Sequence, residues 1–90
     1  MDLYLQGREG TPEGENLKQF ISFIREQDPN AKIQDKSMGP FLAFWVESDI
    51  LSGYFSTSIT PYINIRNKET NSDFFGLAII GSLSLTIYQI

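Results

Sequence analysis

Apolar residues recur every three or four positions through residues 17–24, which is the spacing of one helical face. Phe23 widens this apolar stripe, and the other positions are polar. Thr11 followed by Pro12 is typical of a helix N-cap and the first helical position. Pro29 cannot continue helical hydrogen bonding and ends the pattern. The sequence therefore predicts one amphipathic helix over about residues 12–27.

Shorter segments with the period of two that is typical of strands occupy most of the remaining chain. Phe41–Glu47, FLAFWVE, is rich in aromatic and β-branched residues and is too short for a typical helix. Residues 48–53 fit either a hairpin loop or one helical turn, although Gly53 disfavours a long helix. The pattern predicts strands over residues 2–6, 31–35, 41–47, 54–60, 62–66, 74–80 and 83–90.

The segment 74–90, FFGLAIIGSLSLTIYQI, contains no charged residue, so a membrane anchor is the alternative to a pair of strands. A spanning helix needs about twenty apolar residues, and polar residues interrupt this segment before that length is reached. Residues 83–88 alternate between apolar and polar, as in a strand with one polar face. Gly81 and Ser82 fit a two-residue type II′ turn, so we predict a closing hairpin and no membrane segment.

One helix followed by consecutive strands most often gives an antiparallel sheet. We expect an α+β fold in which the helix packs on a bent, mainly antiparallel sheet of about five to seven strands. The element order resembles the cystatin-type or monellin-type grip, in which a bent sheet wraps one helix. The Gln-x-Val-x-Gly inhibitory loop of the cystatins is absent, so the resemblance implies no protease inhibition. Ninety residues without a repeat or a linker predict a single domain over residues 1–90.

Two of the predicted strands are apolar on both faces. In residues 41–46, Phe, Ala and Trp alternate with Leu, Phe and Val, and residues 74–80 are similar. A single helix covers only one face of a sheet. The second face must therefore curl onto itself, be covered by loops, or meet another protein, and the sequence leaves these possibilities open.

The charge balance narrows the range of partners. Eleven acidic and seven basic residues give a net charge of −4, and the basic residues are scattered along the chain. Such a field repels phosphate backbones, so we expect no direct nucleic-acid binding. Because the chain has no Cys and its start carries no secretory signal pattern, we expect a cytoplasmic protein.

The residue types present also argue against catalysis. The chain has no His and no Cys, which removes the commonest general base, the thiol nucleophile and most zinc ligands. We therefore predict no enzyme, no catalytic residue, no metal and no cofactor. Glu47 and Asp49 form a possible carboxylate pair, but a solvated turn is the favoured interpretation. Residues 67–73 lack the glycine and closing glutamate of a calcium loop, and the glycines of residues 7–14 lack a phosphate-binding pattern.

These observations favour a small acidic protein-binding module, a stoichiometric inhibitor of the immunity type or of the phage-encoded anti-defence type. Its acidic residues would favour a basic site on the target, while aromatic side chains supply short-range contacts. One alternative is a structural subunit of a homo-oligomer, assembled through the apolar sheet face or edge. The other is a small-molecule-binding domain with its ligand between sheet and helix. The predicted partner-binding residues are Trp45, Phe41, Tyr54 and Tyr62 as anchors, with Glu47 and Asp49 as flanking charges.

Overall fold

The apolar stripe of the helix lies on a six-stranded sheet in the computed structural model, which describes residues 3–90. The helix, α1, spans Pro12–Gln27. Its first turn is capped by the Thr11 hydroxyl, which accepts a hydrogen bond from the Gly14 N–H at 3.0 Å. The predicted helix is confirmed, including the proline at its first position.

The six strands lie side by side in the order in which they occur in the sequence, and every neighbouring pair is antiparallel. The α+β class and the packing of one helix on an antiparallel sheet of the predicted size are thereby confirmed. The strands are β1 (Lys32–Asp35), β2 (Ala43–Glu47), β3 (Leu51–Ser56), β4 (Tyr62–Asn67), β5 (Ser72–Leu77) and β6 (Thr86–Gln89).

The hydrophobic core lies between α1 and the sheet face that α1 covers, which we call the inner face. Phe20 of the helix and Phe55 of β3 are both fully buried, with ring centroids 5.4 Å apart. The other large, fully buried apolar side chains are Leu17, Ile24, Phe44, Val46, Leu51, Ile63 and Ile65.

The strand predicted at the start of the chain is wrong. Leu3–Leu5 forms a short 3-10 helix instead, and Asp2 lies outside the described residues. The Tyr4 hydroxyl donates to the Ile33 carbonyl at 2.7 Å, and its ring meets Phe44 edge-on at 5.5 Å. A single helix is too narrow to cover all six strands of the inner face. Tyr4 points toward this face and covers the part of it formed by β1 and β2. Because no strand precedes α1 in the described residues, the cystatin-type element order is not confirmed.

The turn between β2 and β3 answers the question that the sequence left open. Residues 48–50 form a short hairpin turn, in which the Ser48 hydroxyl accepts hydrogen bonds from the N–H groups of Ile50 and Leu51. Leu51 is fully buried, and β3 begins there and ends at Ser56, so the prediction of a strand over residues 54–60 is wrong at both ends.

The closing hairpin is confirmed by the pairing of β5 with β6, but its predicted two-residue type II′ turn is wrong. Residues 78–85 separate the two strands, and the Ser82 N–H donates to the Ile79 carbonyl at 2.8 Å. Gly81, with φ 84°, is the third residue of that turn rather than the second. Within residues 3–90 no helix is both long enough and apolar enough to cross a membrane.

Contacts with the helix explain why this loop is long. The Asn16 side-chain amide donates to the Ser82 carbonyl at 3.3 Å, and the Leu85 N–H donates to the Gln19 side chain at 2.7 Å. These bonds draw residues 78–85 away from the strand ladder and onto the N-terminal half of α1. Asn16 is fully buried, so the loop covers part of the helix that would otherwise face water.

Candidate functional site

The sheet face turned away from α1, which we call the outer face, is organised in rows that run across neighbouring strands. Opposite residues of adjacent strands share a face, and their side chains are neighbours. The row through the middle of the sheet, which we call the central row, takes one residue from each strand. Its members in strand order are Gln34, Trp45, Tyr54, Asn64, Phe75 and Tyr88.

Four rings form a connected aromatic strip on the outer face. The ring centroids of Trp45 and Tyr54 are 5.2 Å apart, those of Tyr54 and Tyr62 6.1 Å, and those of Tyr62 and Phe75 6.3 Å. These separations lie in the range of interacting aromatic pairs. The strip runs over β2, β3, β4 and β5, and the Trp45 side chain is 48% exposed. Tyr88, 55% exposed, continues the central row onto β6.

A charged row lies beside the central row, toward the turns that join β2 to β3 and β4 to β5. Lys32 faces Glu47 across the β1–β2 register. On β4 and β5, Arg66 forms an ion pair with Asp73 at 2.9 Å. These two cations and two anions balance, so the charged row is neutral and the net charge of −4 comes from residues elsewhere.

An acidic groove opens at the end of the charged row. Its volume is about 370 Å³, and three carboxylates and one ammonium group lie on its walls. Among residues 3–90 no group of three or more acidic side chains is arranged to hold a metal ion. The groove is thus a patch of negative potential beside the outer face. The residues that line it are Asp28, Asn30, Lys32, Glu47, Ser48 and Asp49.

The opposite end of the sheet is apolar. In an antiparallel meander alternate loops lie at the same end, which brings together residues 36–42, 57–61 and 78–85. The Leu42 N–H donates to the Thr57 hydroxyl at 2.9 Å, and the Ala78 N–H donates to the Pro61 carbonyl at 3.0 Å. We call the exposed large side chains of these loops the apolar tip; they are Met38, Phe41, Ile59, Ile79, Ile80 and Leu83.

A cavity joins the apolar tip to the outer face. It measures about 650 Å³ and lies against the loop of residues 78–85. Leu77 and Tyr88 of the outer face line one part of it, and Ile79 and Ile80 of the apolar tip line another. The apolar surface is therefore continuous from the aromatic strip to the loops.

The six predicted partner-binding residues are distributed over three parts of this surface. Trp45, Tyr54 and Tyr62 lie together in the aromatic strip. Glu47 lies on the same face as Trp45, two residues along β2, and shares the acidic groove with Asp49. Phe41, 52% exposed, lies in the apolar tip, at the other end of the sheet from the acidic groove.

Sequence reasoning missed Phe75 and Tyr88 as members of the central row. Phe75 joins it only because residues 68–71 form a hairpin turn that places it opposite Asn64. The alternation along β5 gives the face of Phe75 but not its neighbours on β4. The apolar tip was missed because its members come from three loops that the sequence does not align.

Comparison with protein-family models, with curated proteins and with solved structures finds no match for this chain.

Proposed function

We propose that this protein binds another protein through its outer face and inhibits it stoichiometrically by covering its working surface. The observation that carries the proposal is the aromatic strip, which crosses four strands on a sheet face that α1 does not cover. One face of an antiparallel sheet is commonly solvated and is then mostly polar. Four large rings on that face favour a second layer supplied by another molecule.

The residue types of the strip suit a protein partner. Trp and Tyr are enriched among the residues that dominate binding energy at protein interfaces. Their rings offer a large contact area with few rotatable bonds, and here each is held by its ring neighbours on a hydrogen-bonded sheet. A surface ordered in advance loses little conformational entropy on binding.

The charge distribution suits a partner with a basic site. The acidic groove at one end of the outer face and the net charge of −4 attract cations over a distance of about 10 Å. The aromatic strip itself carries no charge, so long-range attraction and short-range contact come from different residues. This division is typical of interfaces in which charge sets the association rate and packing sets the lifetime.

Site-specific photo-crosslinking tests the location of the interface. We expect benzoylphenylalanine at Tyr54 to give a discrete adduct with one protein in cells that carry the gene. The matched control is the same probe at Glu9, which is exposed in the loop before α1, next to Arg8 on the inner-face side of the sheet. Adducts from Glu9 and none from Tyr54 would contradict the proposal.

Binding measurements on the purified partner test the mechanism. We expect Trp45→Ala and Tyr54→Ala each to weaken binding by roughly thirty-fold, the effect of an interface anchor of about 2 kcal/mol. Inhibition of the partner should saturate at one equivalent of the native protein. Ser22→Ala is the control and should bind as the native protein does. Unchanged affinity in both outer-face variants, or inhibition that needs no complex, would refute the proposal.

A further inference from the structure

The two edges of the sheet differ in how they are protected. β1 carries Lys32 and Asp35, and Lys36 follows it, and charged side chains are the usual protection of an edge strand. β6, the other edge, reads TIYQ, and residues 74–90 contain no charged side chain. In a chain of net charge −4 this is a long segment that a second copy can approach without local charge repulsion.

The free hydrogen-bonding groups of β6 follow from its pairing with β5. The Ile90 N–H donates to the Asp73 carbonyl at 2.8 Å, and in an antiparallel ladder alternate residues bond to the same neighbour. Thr86 and Tyr88 therefore face β5 with their N–H and C=O groups. The corresponding groups of Ile87 and Gln89 point away from the sheet.

We propose that β6 pairs with β6 of a second copy of this chain, in antiparallel orientation about a two-fold axis at Tyr88. Ile87 then lies opposite Gln89 of the other copy, and every free N–H and C=O of Ile87 and Gln89 gains a partner. The alternative register, centred on Ile87, would place Gln89 opposite Leu85 of the other copy. The Leu85 N–H already donates to the Gln19 side chain, so it is not free to bond Gln89. The six strands of each copy thus form one continuous sheet.

The orientation of α1 relative to β6 determines which helix residues lie at the level of the proposed two-fold axis. Gln19 bonds Leu85 just before β6 begins. Phe23 packs against Phe74 at 5.0 Å, and Phe74 is paired with Gln89 near the end of β6. The helix therefore runs in the same direction as β6, and residue 22 lies close to the level of the proposed axis.

The helix surface beside β6 is self-complementary about that level. A groove of about 460 Å³ separates α1 from Ile87, and Lys18, Ser22 and Glu26 lie along its helical wall. Lys18 and Glu26 are each four residues from Ser22, on opposite sides. A two-fold axis at this level would turn Lys18 of each copy toward Glu26 of the other, so the two helices would present opposite rather than like charges across the junction.

The dimer extends the outer face across both copies and does not depend on the proposed function. It gives each assembly two aromatic strips, one from each copy, on the same side of one sheet. The partner-binding residue Trp45 lies on β2, four strands from the junction. Failure of either proposal can therefore be observed separately.

Sedimentation velocity on the native chain and on charge variants of Tyr88 tests the dimer. We expect the native protein to sediment as a dimer of the 10.2 kDa chain, with a dissociation constant on the order of micromolar. Tyr88→Lys and Tyr88→Glu each place like charges opposite one another at the axis and should be monomers. A mixture of the two variants should restore a dimer. Tyr88 is exposed, so both variants should retain the native circular dichroism spectrum.

Trp45→Lys is the matched control, because it puts the same charge on a similarly exposed aromatic residue of the outer face. It should remain dimeric. A native chain that is monomeric at millimolar concentration would overturn the proposal. So would a Trp45→Lys monomer combined with a Tyr88→Lys dimer, which would mean that the copies pack face to face.

The charges on α1 supply an independent test. Lys18→Glu should weaken the dimer by roughly two- to five-fold, the usual effect of losing an exposed ion pair. Adding Glu26→Lys to the same chain restores the opposition of charges and should restore the affinity. No change in the single variant together with no change in the double variant would contradict the placement of the axis.

Discussion

At the scale of single residues, consecutive residues of a strand lie on opposite faces of the sheet. Phe44 and Trp45 are adjacent in β2, yet Phe44 is fully buried and Trp45 is half exposed. Their partners in β3, Phe55 and Tyr54, show the same division. The apolar alternation of FLAFWVE predicts two different faces, but it does not show which of them the helix covers.

Alanine substitutions at these neighbours should therefore differ in cost. We expect Phe44→Ala to lower the free energy of unfolding by about 3–5 kcal/mol, because it leaves a cavity in the core. Trp45→Ala should cost about 1 kcal/mol, mainly from the lost contact with Tyr54. Urea denaturation of both variants measures the difference. Equal losses would place Trp45 in the core and remove it from the partner surface.

Asp35 gives the fold a pH-dependent contribution. Burial raises the pKa of its carboxyl, but hydrogen bonds from the Ser37 N–H and hydroxyl, together with the charge of Arg8, lower it more, so the pKa lies below its ordinary value of 3.8. A folded-state pKa below the unfolded one means that the carboxylate stabilises the fold above that ordinary value. This contribution is lost as the pH falls through the folded-state pKa.

We therefore expect Asp35→Asn to be less stable than the native protein at pH 7, by an amount that decreases below about pH 4. Chemical denaturation at a series of pH values measures the difference between the two proteins. Ser22→Ala serves as the control, since its difference from the native protein should not vary with pH. A difference for Asp35→Asn that grows as the pH falls would contradict the argument.

At the scale of secondary-structure elements, the sequence predicts those parts that depend on their own residues. The capped amphipathic helix and the strand cores are of this kind. The start of the chain is not, because Tyr4 turns inward to cover the part of the inner face that α1 does not reach. The loop of residues 78–85 is not either, since its conformation depends on hydrogen bonds to Asn16 and Gln19, sixty-six residues away in each case.

The N-cap of α1 should make a measurable contribution to stability. We expect Thr11→Ala to lower the free energy of unfolding by about 1 kcal/mol, because the Gly14 N–H loses its acceptor. Thr11→Ser keeps the hydroxyl and is the control, with an expected loss of a few tenths of a kcal/mol. Thermal unfolding followed at 222 nm compares the two, and equal losses would show that the hydroxyl is not the cause.

Gly53 allows β3 and β4 to approach each other closely. A Cβ atom at this position would clash with the Asn64 carbonyl oxygen and lie 2.8 Å from the Ile65 Cα. We expect Gly53→Ala to lower the free energy of unfolding by about 3 kcal/mol, since strand backbone must shift. Gly81→Ala is the control, because it meets open space and carries only the cost of a positive φ, about 1 kcal/mol. Urea denaturation of both variants measures this, and equal losses would contradict the steric argument.

At the scale of the whole molecule, the sequence predicts the residue types of the site better than their arrangement. Three of the predicted anchors lie together because alternation along β2, β3 and β4 assigns them to one face. Phe75 and Tyr88 join the row only through the lengths of the connecting turns, which the sequence does not determine. Phe41 lies apart, in the apolar tip, because residues 36–42 form the loop between β1 and β2.

The acidic groove should affect how fast a partner binds rather than how long it stays bound. With the captured partner, we expect Glu47→Gln combined with Asp49→Asn to slow association severalfold at low salt and to leave dissociation unchanged. The effect should disappear near 1 M salt, where screening is nearly complete. Surface plasmon resonance measures both rates. Glu13→Gln combined with Glu15→Gln, both on the first turn of α1, is the control because it removes the same number of charges, and an equal effect there would show that the net charge alone is responsible.

The central row also makes the sheet suitable for the selection of new binding specificities. Its six positions come from six different strands, yet they are adjacent in space, and their side chains lie on the face opposite the core. A combinatorial library randomised at these positions would vary a contiguous surface while leaving the packed interior unchanged. Insertions in the hairpin turns would have the opposite effect, because a one-residue shift in register exchanges the two faces of a strand.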